Sequence, residues 1–277
     1  MIALLDFIQK RRLQIFLIFL AAIFFASSPK REKSFNTALL NPKYDVSQIE
    51  LFDPDGQGLV IKKCGSFWLG QKEASDSRTL YFVCDSSLVE TFLGGLKKIV
   101  RVSELSDKKN LALYGLKPDQ AFLLSLKKDG KTLSEITFGN VDSLKRIFFS
   151  VPKKQKIFSI DSEFFAPYLS CDPNFWAAPE IFPKSVVGVD KKYRRGKLSL
   201  YLQEAFDWSG ASVKTFDAGD GNIYRALFLQ KTDGDYWFCF EAVPAAQRPQ
   251  AEKDALKKIN AVFNVSAWTY QRVMEQE

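Results

Sequence analysis

Apolar and polar residues alternate with a period of two through the middle of the chain. Ala121-Phe-Leu-Leu-Ser-Leu-Lys127 runs into Lys128-Asp129-Gly130-Lys131, and Thr132-Leu-Ser-Glu-Ile-Thr-Phe138 follows. Asp-Gly supplies the positive φ angles of a tight turn, so the pattern predicts an antiparallel hairpin. Phe122, Leu124 and Leu126 fall on one face, with Ile136 and Phe138 sharing a face on the returning strand. Arg146–Val151 and Lys156–Ile160 predict a second hairpin, and Ser162–Leu169 a short helix carrying Phe164, Phe165 and Leu169. Upstream, strands are expected over Val46–Phe52, Leu59–Lys63, Ser66–Leu69 and Thr79–Val83. Downstream they are expected over Val186–Val189, Leu198–Leu202, Ile223–Gln230 and Tyr236–Glu241.

The period changes to that of a helix in two places. Ser87-Leu-Val-Glu90 has the form of a capping box, after which Leu88, Phe92, Leu96 and Ile99 share a face. Gly94-Gly95 weakens that helix or allows close backbone approach to a sheet. Ala251–Glu275 reads as largely helix, with Leu256, Ile259, Phe263 and Val262 facing inward. Each segment follows a tryptophan strand (Trp68, then Trp237) and contains Lys-Lys-Ile, at Lys97-Lys98-Ile99 and Lys257-Lys258-Ile259. That correspondence suggests an internal duplication. The expected fold class is α+β, with antiparallel hairpins and sheets carrying packed amphipathic helices.

The N-terminus follows a third pattern. Leu13–Ala26 has one polar residue in 14 and is preceded by Lys10-Arg11-Arg12. As a helix it spans about 21 Å, short of the roughly 30 Å hydrocarbon core, and snorkelling flanks would make up part of the difference. An uncleaved membrane anchor is the first reading. A cleaved signal peptide and a surface-lying helix are the alternatives. The expected organisation is an anchor at 1–28, a hinge at 29–44, a first α+β unit at 45–183 and a second, partial repeat at 184–277.

Several short stretches follow one another: Tyr114-Gly-Leu-Lys-Pro118, Lys128-Asp-Gly-Lys131, Ile136-Thr-Phe-Gly139, Arg146–Val151, Lys156–Asp161 and Phe175-Trp-Ala-Ala-Pro-Glu-Ile-Phe182. In this order they resemble the domain-of-unknown-function family 4340, well over residues 45–183 and loosely thereafter. The resemblance implies one N-terminal membrane helix, a repeated extracytoplasmic α+β body, and a place beside ABC transporters of the gliding-motility type. It implies a single-pass protein of the bacterial cytoplasmic membrane whose body lies outside the cytoplasm. The family has no established catalytic residues to carry over.

Charge and composition narrow the chemistry. The net charge of +7 is misleading, because residues 1–33 hold six basic and two acidic side chains, leaving 33 basic against 30 acidic in the rest. A nucleic-acid partner is therefore not expected. Lys191-Lys192-Tyr193-Arg194-Arg195 reads first as a solvated loop and second as a contact for acidic lipid or polymer. The chain has no histidine, which removes Ser-His-Asp and Cys-His nucleophile systems and His-ligated zinc. Cys64, Cys84, Cys171 and Cys239 form no C-x-x-C pair. They read as buried thiols, with a Cys64–Cys84 disulfide as the alternative. Asp53-Pro-Asp-Gly56, Asp217-Ala-Gly-Asp-Gly221 and Asp233-Gly-Asp235 read as turns and lack the further ligands of a calcium loop. Asn264-Val-Ser266 matches a glycosylation sequon but falls in the expected C-terminal helix.

No catalytic, cofactor-binding or metal-binding residue is assigned. The expected function is that of a non-enzymatic, membrane-anchored accessory protein, attached through Leu13–Ala26 and working with the permease and ATPase subunits of an ABC transporter. No phosphate loop of the G-x-x-x-x-G-K-[ST] type is present, so any ATPase is another chain. The alternatives are a module binding envelope polymer or lipid head groups, and a glycan hydrolase using carboxylates, for which Asp161, Glu163 and Asp207 are the candidates.

Overall fold

The computed structural model describes residues 33–73, 78–152, 156–181, 193–217 and 223–275. The chain divides into two compact units, Met1–Ser34 and Phe35–Glu277, and the account below concerns the second. The expected membrane anchor, the strand at Val186–Val189, Lys191, Lys192 and the turn at 218–222 lie outside the described residues. Among the described residues, no helix is long and apolar enough to cross a membrane.

Two antiparallel sheets make up the body. The larger contains β1 (Lys33–Thr37), β2 (Gln48–Phe52), β3 (Gly58–Cys64), β4 (Phe67–Glu73), β5 (Thr79–Val83), β6 (Val100–Asp107), β7 (Phe122–Lys128), β8 (Lys131–Val141), β9 (Arg146–Ser150) and β10 (Lys156–Asp161). Their order is β1-β6-β10-β9-β8-β7-β2-β3-β4-β5. The smaller contains β11 (Leu198–Leu202), β12 (Ser212–Asp217), β13 (Ile223–Gln230), β14 (Tyr236–Val243) and β15 (Ala261–Val265), ordered β11-β15-β14-β13-β12. Among the described residues, four short α-helices accompany them: α1 (Ser86–Lys97), α2 (Pro173–Trp176), α3 (Gln250–Lys258) and α4 (Ala267–Glu275).

The central hairpin forms as its sequence predicts. Asp129 and Gly130 both take positive φ (50° and 77°), which matches the turn to the right-handed twist of the strands. Phe122, Leu124, Leu126, Ile136 and Phe138 are all buried on one face. The same alternation continues across the sheet through Ile49, Leu51, Leu59, Ile61, Phe149 and Phe158. These side chains close over α1, which buries Val89, Phe92, Leu93 and Leu96. Trp176 of α2 completes this core, its ring 5.7 Å from Phe92.

The opposite face of β4 and β5 makes a second core. Phe67, Leu69 and Val83 pack there against Tyr224, Phe228, Phe238 and Phe240 of the small sheet, Leu256 of α3 and Val273 of α4. One pair of strands is thus buried on both sides, which joins the sheets into one body. A third cluster lies on the other face of the small sheet. Strands β11 and β12 occupy opposite edges, so residues 203–211 must cross that face. Phe206 and Trp208 cover Leu227, Cys239 and Val262 as they pass.

The expected α+β class with packed, duplicated helices is overturned. The body is built mostly of antiparallel sheet, and its helices are few and short. The two Lys-Lys-Ile segments are not equivalent. Helix α1 joins β5 to β6, near opposite edges of the large sheet, whereas α3 joins the neighbours β14 and β15. Ile99 is exposed while Ile259 is buried. The expected helix over Ala251–Glu275 is a helix, a strand and a second helix. Val262 and Phe263 sit on β15, where a β-branched and aromatic run suits a pleated surface. Asn264 of the sequon is likewise on a strand. Ser162–Leu169 forms two 3₁₀ turns, Ser162–Phe164 and Ala166–Tyr168, because Pro167 lacks the N–H that a continuous helix needs. The cap of α1 is Asp85, which accepts from the N–H groups of Ser87 and Leu88. Glu90 does not close a capping box and instead accepts from Trp68 Nε1 at 3.0 Å.

Candidate functional site

The sheets leave a cleft of about 670 Å³ along their seam. One wall is the β2–β3 turn (Gly56–Gly58) with Lys72 and Glu73 of β4 and Leu80 of β5. The other is β11, through Leu198, Ser199 and Leu202, and the start of α2 closes one side with Asp172 and Asn174. Sheet alternation points Leu80 and Lys72 to the same side, so an apolar floor and an amine share one space.

Each wall is fixed by polar contacts. Lys72 Nζ donates to Gln57 Oε1 at 3.0 Å and to the carbonyl of Cys171 at 2.8 Å, tying β4 to the turn and to the segment before α2. Asp53 holds that turn by accepting from the Gln57 N–H at 2.8 Å. Asp172 caps α2 by accepting from the Asn174 N–H at 2.9 Å. Asn174 Oδ1 in turn accepts from the Leu198 N–H at 2.7 Å, which docks β11 on α2.

Arg195 pins the same region from behind. Its guanidinium donates to the carbonyls of Ala178 (2.6 Å), Ala177 (2.8 Å), Gly196 (2.9 Å) and Asn174 (3.2 Å), and its plane lies 4.8 Å from the Phe263 ring. Burial lowers its pKa, and Asp172 and Glu180 oppose that shift. Five donors in a rigid fork suit such a cluster of carbonyls, and lysine would not replace them. This residue is therefore a bracket for the cleft wall, which corrects its reading as part of a solvated basic loop. Arg194 beside it is exposed.

The carboxylates singled out in the sequence are not brought together. Asp161 accepts from the Glu163 N–H at 3.0 Å, and Glu163 pairs with Lys145 at 3.4 Å, both at one end of the large sheet. Asp207 lies in the segment crossing the small sheet, where the Ser209 N–H bond holds its pKa below the usual range. The carboxylates that do share the cleft are Glu73 and Asp172. No local motif marks either, because the lining comes from four stretches far apart in sequence.

All four cysteines are free thiols. Cys84, Cys171 and Cys239 are buried. Burial pushes the Cys171 thiol up to about 11, reinforced by Asp53, and pushes Cys84 well above the ordinary thiol range, reinforced by Asp85. Neither is a poised nucleophile.

No protein-family model, curated protein or solved structure matches this chain. Residue roles therefore rest on the geometry above.

Proposed function

We propose that this chain is a membrane-anchored, extracytoplasmic interaction protein, without chemistry of its own, that uses the seam between its sheets to bind a partner at an ABC-type transport system. The observation that carries the binding reading is the cleft. Its volume of about 670 Å³ lies within the roughly 300–1,000 Å³ of ligand-binding clefts, and it sets an apolar floor beneath a few fixed polar groups. The Lys72 amine is already committed to Gln57 and the Cys171 carbonyl, so it shapes the wall. The apolar run Leu13–Ala26 supports the anchor. The resemblance of residues 45–183 to the domain-of-unknown-function family 4340 suggests the transporter context.

Tagged full-length protein, taken from native membranes in mild detergent and analysed by mass spectrometry, tests the proposal. A permease and an ATPase are expected in fixed ratio with the chain. Ser199→Trp, which fills the cleft from β11, is expected to lose them while the chain still extracts from the membrane. Recovery of wild type alone would overturn the transporter reading, and undiminished partners with Ser199→Trp would overturn the cleft.

One observation favours a second reading, because Glu73 and Asp172 line the same space and glycoside hydrolysis needs two carboxyl groups facing one bond. Release of reducing ends from envelope glycan, abolished by Glu73→Gln and by Asp172→Asn, would establish it.

A further inference from the structure

The segment that crosses the outer face of the small sheet brings more aromatic surface than its packing needs. The buried cluster beneath it is Leu227, Cys239 and Val262, and Phe206, Trp208 and Trp237 lie over these side chains while staying half-buried. Tyr201 joins them from β11. Its neighbours Leu198 and Leu202 pack into the main core beside Ala261, whereas Tyr201 is 63% exposed and its ring meets Phe206, 6.5 Å between centres. Phe206 is the hub, 5.6 Å from Trp208 and 5.4 Å from Trp237. Leucine would seal two aliphatic side chains and a thiol as well. Rings kept partly in water add flat apolar faces that the fold itself does not use.

Hydrogen bonds set these rings in place before anything binds. Trp208 Nε1 donates to the Gln203 carbonyl at 2.9 Å, Gln203 Nε2 donates to Glu241 Oε1 at 3.1 Å, and Glu241 also pairs with Arg225 at 3.3 Å. The Tyr201 N–H donates to Ser199 Oγ at 3.0 Å. Groups ordered in advance lose less entropy on binding.

The charges around the rings narrow the occupant. Arg225 and Glu241 offset each other, as do Lys231 and Asp233 at 2.8 Å and Arg78 and Glu204 at 3.5 Å. Lys231 Nζ lies 4.8 Å over the Trp237 ring, which takes up one face of that indole. Asp207 accepts from the Ser209 N–H at 3.0 Å and adds a carboxylate. The balance is neutral to slightly acidic, which suits neither nucleic acid nor an anionic lipid or polymer. Ile223 and Val243 are 43% and 52% exposed, but they pair beyond Arg225 and Glu241, so that ion pair separates them from the rings. A neutral sugar ring fits what remains. Its C–H groups carry slight positive charge and meet the negative face of an aromatic ring. Its hydroxyls match amide, carboxylate and guanidinium groups such as those of Gln203, Asp207 and Arg225.

We infer that Tyr201 and Trp208 form a stacking platform for a neutral glycan, with Phe206 positioning both rings. Strand β11 serves this platform through Tyr201 and the cleft through Leu198, Ser199 and Leu202, so the two sites share a wall. The inference goes beyond the partner reading above and does not depend on the transporter context.

Full-length protein in a detergent without a sugar headgroup is titrated with tetra-N-acetylchitotetraose, cellotetraose and tetragalacturonate, and the shielding of tryptophan from acrylamide is followed. A neutral tetrasaccharide is expected to bind in preference to tetragalacturonate. Its affinity is expected to be unchanged by salt up to about 0.5 M, because no net charge is matched. Tyr201→Ala, at an exposed position, is expected to weaken binding roughly tenfold. Tyr201→Phe is expected to keep most of it, because stacking needs the ring and not the hydroxyl. Trp268→Ala removes an aromatic side chain 62% exposed on α4, beside Arg272, and is expected to change nothing. Failure of both neutral sugars to bind up to about 10 mM overturns the platform. So does a preference for tetragalacturonate. Binding that survives Tyr201→Ala but is lost with Glu73→Gln assigns the sugar to the cleft and also overturns it. The co-purification of a permease and an ATPase is independent of each of these results, so the platform and the transporter reading fail separately.

Discussion

Tyr81 and Asn260 exchange a closed pair of hydrogen bonds across the seam between the sheets. The Tyr81 N–H donates to Asn260 Oδ1 at 2.8 Å, and the Asn260 N–H donates to the Tyr81 carbonyl at 3.2 Å. Asn260 Nδ2 also donates to the Thr79 carbonyl at 2.9 Å. Strand β5 ends the large sheet, so its outer N–H and C=O groups would otherwise be an unpaired edge. One asparagine side chain imitates the missing strand and sets the second sheet against the first, with the cleft beside it.

Asn260→Ala is therefore expected to destabilise the body by about 1–3 kcal/mol, the cost of leaving partly buried donors and acceptors unmatched. Asn260→Asp keeps an acceptor for Tyr81 but loses the donor to Thr79, and is expected to cost a comparable amount. Urea unfolding followed by tryptophan fluorescence measures both. Midpoints unchanged from wild type would show that the seam is held by the apolar core alone.

A second joint is built on a glycine. Gly65 turns β3 into β4 with φ +61°, and the Glu252 carboxylate occupies the place a side chain there would take. The carboxylate accepts from the Ser66 N–H at 3.1 Å and pairs with Arg248 at 3.1 Å, both partners mostly buried. Gly65→Ala brings the left-handed penalty of roughly 1–2 kcal/mol and also displaces Glu252. Glu252→Ala takes from Arg248 its mostly buried carboxylate partner, at a cost on the order of 3 kcal/mol. The double variant is expected to lose less than the two separate losses together, because the same contact is removed twice. Strict additivity in a double-mutant cycle would separate the two residues.

Glycines in α1 behave in the opposite way. A side chain added at Gly94 or Gly95 would meet nothing within 4 Å. The sequence left two readings open for this pair, a weakened helix or close contact with a sheet, and the space around them favours the first. Gly94→Ala and Gly95→Ala are each expected to raise stability by about 1 kcal/mol. A fall in thermal midpoint for either would show a contact that this packing does not contain.

The legible parts of the chain were those decided by neighbours in sequence. Asp129-Gly130 dictates its turn locally, and the alternation from Phe122 to Phe138 names its buried face. The Val262–Phe263 strand was not legible, because Leu256, Ile259 and Phe263 also satisfy a helical spacing. What ends α3 is tertiary: Asn260 leaves the helix to pair with Tyr81. Ile99 fitted the apolar face of α1 but falls beyond its last turn. The cleft was hidden for the same reason, since Gln57, Lys72, Asn174 and Ser199 become neighbours only when both sheets are in place.

The thiols give a test that reads packing and pH together. Burial raises the pKa of Cys64, Cys84, Cys171 and Cys239, and three of the four are shut away from solvent. In the folded protein at mild alkaline pH, maleimide is expected to modify Cys64 alone, and all four in urea. Phe206→Ala opens the cover over Cys239 and is expected to make that thiol react in the native state as well. A thiol whose folded pKa is raised stabilises the fold while it stays protonated in both states, below the unfolded value of about 8.5. Above that value the unfolded chain loses its proton first, so stability falls as pH climbs towards about 11, where Cys171 itself ionises. Comparing Cys171→Ala with wild type at each pH isolates this contribution from that of lysines and tyrosines. The variant is expected to be less stable at neutral pH, with a shallower alkaline decline. Parallel curves would mean that the Cys171 thiol ionises as freely in the folded protein as in the unfolded chain.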